Sequence, residues 1–328
     1  MTPIRIWHDV TPAIFQQIRA AAVPAVLKEI ARDWPIVRAA DPAAYLRGMA
    51  VAAPVPFARG APEIEGRFHY GATIGTRNFA KGETLLPDFL DALVAEADKP
   101  RPDALAIQGL SAREHVPGFA EAHRIALLPP AVPARLWIGN AAKVATHHDP
   151  SENIAVVAAG RRRFTLFAPE QVGNLYMGPF QPTPAGTQVS MVHVTAPDLD
   201  RYPRFADALA AAHTADLEPG DALYIPYQWY HHVEALDAFN LLVNFWWDPA
   251  PAGVASPWEA MMAGLMSLRT LPSDQRRAWQ AMFDHYVFLA DGEPGAHLPP
   301  EARGILDATS PRDLERMREA LLAKLKGG

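Results

Sequence analysis

Two short stretches decide how this chain reads. One is Thr146-His147-His148-Asp149. The other, far downstream, is Ile225-Pro226-Tyr227-Gln228-Trp229-Tyr230-His231-His232-Val233. In a β-strand, residues i and i+2 point to the same face. The spacing therefore predicts that His147 and Asp149 converge on one point while His148 points away. The second stretch places another histidine pair at the end of a second strand. Two histidines and one carboxylate form a ligand set that leaves three metal positions open, an arrangement diagnostic of non-haem Fe(II) oxygenases. A His-x-Asp pair alone is weak evidence, because such pairs also form for structural reasons. A downstream histidine in an aromatic β segment strengthens the metal reading.

The strand after the first stretch adds a charge. In Gly160-Arg161-Arg162-Arg163-Phe164-Thr165-Leu166-Phe167, Arg162 shares its parity with Phe164 and Leu166. If those two face the interior, Arg162 is the arginine of the three that points inward. A buried unpaired guanidinium is costly, so an inward Arg162 calls for an anion, and a dicarboxylate would pair with it in bidentate fashion. All three arginines solvated at a strand start is the competing reading. Along Phe239–Trp247, Asn240, Leu242, Asn244 and Trp246 share one face. Asn244 in so apolar a strand is expected to be buried, bonded either to a ligand or to a neighbouring strand.

Around these stretches, short β-rich runs separated by turn residues are expected at 135–139, 153–159, 163–167, 188–194, 222–226 and 239–247. Such a series suggests a sandwich or barrel. A long connection from about Pro169 to Phe205 carries Tyr176, Phe180, Tyr202 and Phe205 and reads as a packed loop bordering a site. The first third reads as mixed α/β. Thr11-Pro12 opens a helix to about Ala21, Pro24–Ile30 and Pro54–Ala58 are short strands, and 86–96 is an amphipathic helix. The last part is helical. Ser256-Pro257, Ser273 and Ser310-Pro311 are the expected starts, with Leu314, Met317, Leu321 and Leu325 as a stripe and Gly327 as the stop. The expected division is 1–130, an α/β region packing on the core; 131–250, the β core; and 251–328, a helical extension.

Composition narrows the function. The chain has 328 residues, a net charge of −6 and no cysteine. This excludes disulfides, thiolate metal sites and a cysteine nucleophile. The mildly acidic balance argues against a nucleic-acid binder. No apolar run reaches the roughly 18–20 residues needed to cross a bilayer, and Met1–Val10 has no signal-type stretch. A cytoplasmic protein with no membrane association is expected.

Taken together, these segments resemble the JmjC/cupin-8-like Fe(II)- and 2-oxoglutarate-dependent oxygenases, the branch that includes the asparaginyl hydroxylase inhibiting hypoxia-inducible factor. The resemblance runs in family order. It covers His147 to Asn153, Gly160 to Pro169, Leu175-Tyr176, Pro197-Asp198, Arg201 to Phe205, Pro219 to Pro226, Trp229 to Val233 and Val243 to Trp247. Pro24 to Leu27 and Asp33-Trp34-Pro35 look like the family's lead-in. It implies a mainly β fold with flanking helices, built on a double-stranded β-helix, or jelly-roll, core. It implies His147, Asp149 and His231 as iron ligands and catalytic residues, with His232 excluded. Arg162 would hold the distal carboxylate of 2-oxoglutarate where the branch often has lysine. Asn153, Asn244, Thr146 and Tyr70 match positions around that cosubstrate. Two departures stand out: Ala106 replaces a tyrosine in Ala106-Ile107-Gln108, and the threonine before the first ligand is displaced to Thr146.

The implied activity is hydroxylation of a protein or peptide side chain, with succinate and CO₂ as by-products. A cupin metalloprotein that does not use 2-oxoglutarate, and a non-catalytic binding module, are the alternatives. The C-terminal helices carry Trp258, Met261, Met262, Met266, Trp279, Met282 and Phe283. Aromatic and Met side chains are enriched at interfaces, so a homodimer through 256–290 is expected.

Overall fold

The computed structural model describes residues 1–184, 186–248, 256–307 and 310–326. The chain divides into two units, Met1–Asp248 and Pro249–Gly328.

In the first unit, seven strands precede the core: β1 (Thr2–Pro3), β2 (Ile6–Trp7), β3 (Ala25–Leu27), β4 (Pro54–Gly60), β5 (Arg67–Phe68), β6 (Ala80–Leu85) and β7 (Ala104–Ser111). The core strands are β8 (Ala134–Gly139), β9 (Lys143–His147), β10 (Glu152–Ala159), β11 (Arg162–Phe167), β12 (His213–Leu217), β13 (Ala222–Ile225), β14 (Tyr230–Ala235) and β15 (Asn240–Trp247). They form a major sheet, β2-β3-β13-β10-β15-β8-β7-β4-β6, and a minor sheet, β1-β12-β11-β14-β9-β5. From β8 to β11 and from β12 to β15 the chain passes repeatedly between the sheets, and the core pairings are antiparallel. This is the jelly roll that the strand pattern and the resemblance imply. The first 130 residues extend it, since β7, β4 and β6 continue the major sheet beyond β8.

The packing follows from strand parity. Between the sheets lie Ala155, Val157, Phe164, Leu166, Leu223, Ile225, Val233 and Leu242. On the far face of the major sheet, Ile154, Val156, Tyr224, Leu241, Val243 and Phe245 join Phe15, Ile18, Phe89 and Leu93 in a second, larger core. Strand β10 is buried over its whole length. That explains why 153–159 shows no polar alternation, as for any strand covered on both sides. Burying each large apolar side chain stabilises the fold by about 1.5–3 kcal/mol.

The helices that close this face start where the sequence says. Thr11 Oγ1 accepts from Ile14 N at 3.3 Å, and Pro12 opens the helix Pro12–Ala21. The helix Leu86–Ala97 buries Leu86, Phe89, Leu90 and Leu93. Phe15 meets Tyr224 edge-on, with centroids 5.5 Å apart.

Two strand expectations need correction, and one strand was not expected. The run 188–194 is not a strand: Ser190 makes a single isolated bridge with Met177. Val189 and Val192 are buried all the same, within the long connection itself, and Ser190 Oγ donates to Leu175 O at 2.6 Å. The stretch Ile225–Val233 is not the end of one strand. β13 stops at Ile225, the chain turns with Gln228 at φ 63°, and β14 begins at Tyr230. Strand β12 is unanticipated, because His213–Leu217 is polar and mostly half-buried in its pairing with β11.

The second unit holds the helices Pro257–Leu268, Ser273–Tyr286 and Pro311–Lys326. Ser256 caps the first by accepting from Trp258 N at 3.3 Å. Ser310 caps the last, accepting from Asp313 N at 3.2 Å. Ser273 is no cap: it is the first helical residue, and Pro272 precedes it. The Leu325 side chain and Gly327 lie outside the described residues.

Candidate metal centre

His147 ends β9 and stands directly across from His231 on β14. The two rings lie 4.3 Å apart. Asp149 sits beyond the end of β9, so it reaches the site from the β9–β10 connection and not by strand parity. One ligand atom from each of His147, Asp149 and His231 lies within 4.8 Å of the others. Asp149 Oδ2 is 3.6 Å from His231 Nε2. His148 points elsewhere, edge-on to the Tyr230 ring.

Backbone carbonyls set the histidine tautomers. His147 Nδ1 lies 2.9 Å from Ala145 O, and His231 Nδ1 lies 3.1 Å from Trp229 O. A carbonyl only accepts, so each Nδ1 carries the proton and each Nε2 presents a lone pair. Burial, followed by the nearby His147, pushes the His231 pKa down to about 4. The ring is thus neutral at neutral pH, the state a metal ligand needs. His232 faces the opposite side of the sheet, 3.9 Å from Glu234, and burial also pushes its pKa down to about 4.

This burial has a consequence for stability. His69, His123, His148 and His193 are likewise held below their usual value, burial being the main cause in each. Below about pH 6.5 an unfolded chain protonates histidines that the folded chain keeps neutral. Stability therefore falls as pH drops from about 6.5 toward 4, where His231 and His232 take up protons in the folded state as well. The metal-free protein should unfold at a clearly lower urea concentration at pH 5 than at pH 7. A midpoint constant over that range would contradict the burial of these rings.

Arg162 lies in the same interior. It is 6% exposed and lines a small cavity together with His147, Asp149, His231, Asn153 and Asn244. Burial lowers its pKa only to about 10, so it stays charged. Among the described residues it has no carboxylate partner, its Nε is unbonded, and its one contact is a 3.5 Å hydrogen bond from Nη2 to Trp137 O. Arg161 and Arg163, by contrast, pair at the surface with Asp237 and Asp216. The parity argument holds because of the corner before β11. There Gly160 has φ +69°, and a Cβ would fall 2.5 Å from Phe239 O.

Asn244 donates to Asn153 Oδ1 at 3.0 Å. Asn153 Nδ2, Trp137 Nε1 and Trp246 Nε1 are buried donors with no partner among the described residues. Such orphaned donors beside an unpaired guanidinium fit a dianion. The small cavity, about 30 Å³, is large enough for a water or two. A dicarboxylate would extend into a larger neighbour of about 250 Å³, which shares Trp137, Val144 and His147 as walls. Pro184, Thr187 and Val189 of the long connection line this larger cavity, so that segment borders the site as anticipated.

Other residues lie elsewhere. Tyr70 donates to Pro182 O at 3.0 Å and lines neither cavity. Thr146 is buried, lines neither, and its Oγ1 has no partner among the described residues. Ala106 and Gln108 line the larger cavity. Trp137 and Trp246 were missed as site residues. Strand parity would have found Trp137, since Leu136 and Ile138 on either side belong to the opposite core.

A jelly roll with a His-Asp-His cluster of two buried histidines and a half-buried aspartate defines a cupin-type protein with a candidate metal site. The chain belongs to the cupin-like domain family, whose profile matches residues 11–253; this is the JmjC-like family that the motifs resemble. It is 35% identical over 113 residues to the lysine-specific demethylase JMJ31 of Arabidopsis thaliana, covering 34% of this chain and 20% of that protein. It is 34% identical over 148 residues to HSPB1-associated protein 1 of Homo sapiens, covering 44% and 30%. It is 34% identical over 107 residues to tRNA wybutosine-synthesizing protein 5 of Mus musculus, covering 33% and 31%. The chain thus spans less than a third of the length of these curated relatives. Among the described residues, no helix is long and apolar enough to cross a membrane.

Proposed function

We propose that this protein is an Fe(II)- and 2-oxoglutarate-dependent oxygenase that hydroxylates a protein or peptide side chain, releasing succinate and CO₂. The observation that carries this reading is Arg162, a buried guanidinium with no counter-ion among the described residues, in one cavity with His147, Asp149 and His231. When bound, ferrous iron and the keto acid together supply the oxidising chemistry. The chain supplies the rest. His147 and His231 offer their Nε2 lone pairs and Asp149 its carboxylate. Arg162 holds the distal carboxylate of the cosubstrate, and Asn153 and Asn244 supply hydrogen bonds beside it. The Trp137 and Trp246 rings, edge-on with centroids 6.0 Å apart, line the same cavity. The test is formation of succinate from 2-oxoglutarate by the Fe(II)-loaded protein, measured with and without candidate peptides. Failure to form succinate under any of these conditions would remove the oxygenase assignment.

The same proposal includes a homodimer built on 256–290. The helix Pro257–Leu268 has Glu259 as its one charged residue, and none of its residues is buried. Met261 and Met266 are 42% and 64% exposed, and Trp279 and Met282 on the next helix 46% and 48%. A helix apolar on most sides is stable when it is covered. Light scattering at micromolar concentration should give about twice 35.8 kDa. Removal of residues 255–328 should give a monomer or an aggregate. A full-length mass near 36 kDa would count against the dimer.

A further inference from the structure

The larger cavity beside the metal ligands has a one-sided charge. Most of its lining is apolar: Pro56, Phe57 and Ala58 from β4, Phe68 from β5, Trp137 from β8 and Val189 from the long connection. Gln108 and Thr187 are neutral polar groups in the lining. Among the described residues that line it, none is Asp or Glu, and Lys81 of β6 is the one permanent cation. Lys81 is exposed and stands opposite Ala58 in the strand register, and Glu83, the nearest acid on the same face of β6, stands two residues on, opposite Pro56, and is not part of the lining. Lys81 forms no ion pair among the described residues. Asp149, the carboxylate of the site, lines the small cavity and not this one.

An apolar chamber with an uncompensated ammonium favours an apolar group that carries a negative charge and repels a positive one. A chamber built for an ammonium or guanidinium side chain would need a carboxylate to repay desolvation and to offset the repulsion of Lys81, and the rings of Phe57, Phe68 and Trp137 supply no such charge. We infer that this cavity receives an apolar group flanked by a carboxylate, and that it discriminates against cationic side chains such as lysine or arginine. The inference rests on the oxygenase reading and narrows its substrate to acidic, apolar chemistry. The carboxylate belongs either to a residue beside the reacting one in a peptide or to a free acid.

The experiment uses the full chain loaded with Mn(II) and saturating 2-oxoglutarate, so that the small cavity and the part of the larger one into which the cosubstrate extends are filled and the probes report on the space that remains. 3-Phenylpropionate and 3-phenylpropylamine share one apolar body and differ in charge. Their binding is read from tryptophan fluorescence, since Trp137 lines the cavity. The carboxylate should bind at least tenfold more tightly than the amine. Lys81→Gln should erase the difference and Lys81→Glu should reverse it. A parallel pair of blocked tetrapeptides, Gly-Phe-Asp-Gly and Gly-Phe-Lys-Gly, separates the two sources. Preference for the aspartyl peptide assigns a peptide substrate, and preference confined to the free acid assigns a small one. Equal or tighter binding of the amine, an order unchanged in Lys81→Glu, or no binding of either probe at millimolar concentration would overturn the inference. A wild-type protein that takes up Mn(II) but not 2-oxoglutarate would instead remove the underlying oxygenase reading.

Discussion

His231→Ala loses tight binding of Mn(II) or Fe(II), while His232→Leu retains one ion per chain. The two residues are adjacent in sequence and equally buried, yet they face opposite sides of β14. His231 stands across from His147 and 3.6 Å from Asp149, with its Nδ1 proton held by Trp229 O. Removing it leaves a two-ligand site. Loss even of an outer-shell partner costs about 10–100-fold in metal affinity, so a lost ligand costs at least that. His232 offers nothing to the cluster, and leucine fills its volume without a polar atom to satisfy. Calorimetric titration of the apo-protein, with circular dichroism to verify folding, measures both. Metal binding that survives in His231→Ala and fails in His232→Leu would mean that the strand register has been read one residue out.

The second large effect concerns the cosubstrate. Arg162→Ala should raise the dissociation constant of 2-oxoglutarate by at least tenfold while sparing metal stoichiometry. Breaking a buried charge-assisted pair costs about 2–5 kcal/mol, and every 1.4 kcal/mol is a factor of ten. Arg162→Lys keeps the charge but loses the fork, so it should fall between wild type and alanine. Arg161→Ala should change little, because that side chain is 60% exposed and pairs with Asp237 at the surface. The metal-free Arg162→Ala protein should be no less stable than wild type, since the guanidinium has no counter-ion among the described residues. Equal losses from Arg161→Ala and Arg162→Ala would refute the parity argument.

Much of this was legible because parity and burial are local consequences of sequence. Arg162 could be placed inside from Phe164 and Leu166, and Asn244 from the apolar strand around it. Asp149 reached the right place for a different reason: the strand had ended, and the following connection carries it back toward His231. What parity could not give is pairing between distant segments. No local signal joins β7, β4 and β6 to the edge of β8, so the larger cavity and Lys81 were invisible until the sheet order was known. The run 188–194 shows the converse error. Its alternation has the strand period, but the burial behind it comes from a loop packed on Tyr70 and Ala145. The polar strand β12 was missed because a strand of mixed, mostly half-buried residues carries little hydrophobic pattern.

The pairing of His147 with His231 also sets a time order. These residues are far apart in sequence, and contacts between such segments are slow to form because loop closure comes first. The site is therefore complete only when β9 and β14 have docked, and an unfolded chain offers no comparable cluster. An ion bound there links the two strands directly, so the metal-loaded protein should unfold more slowly than the metal-free one, in proportion to how far β9 and β14 separate before the unfolding barrier.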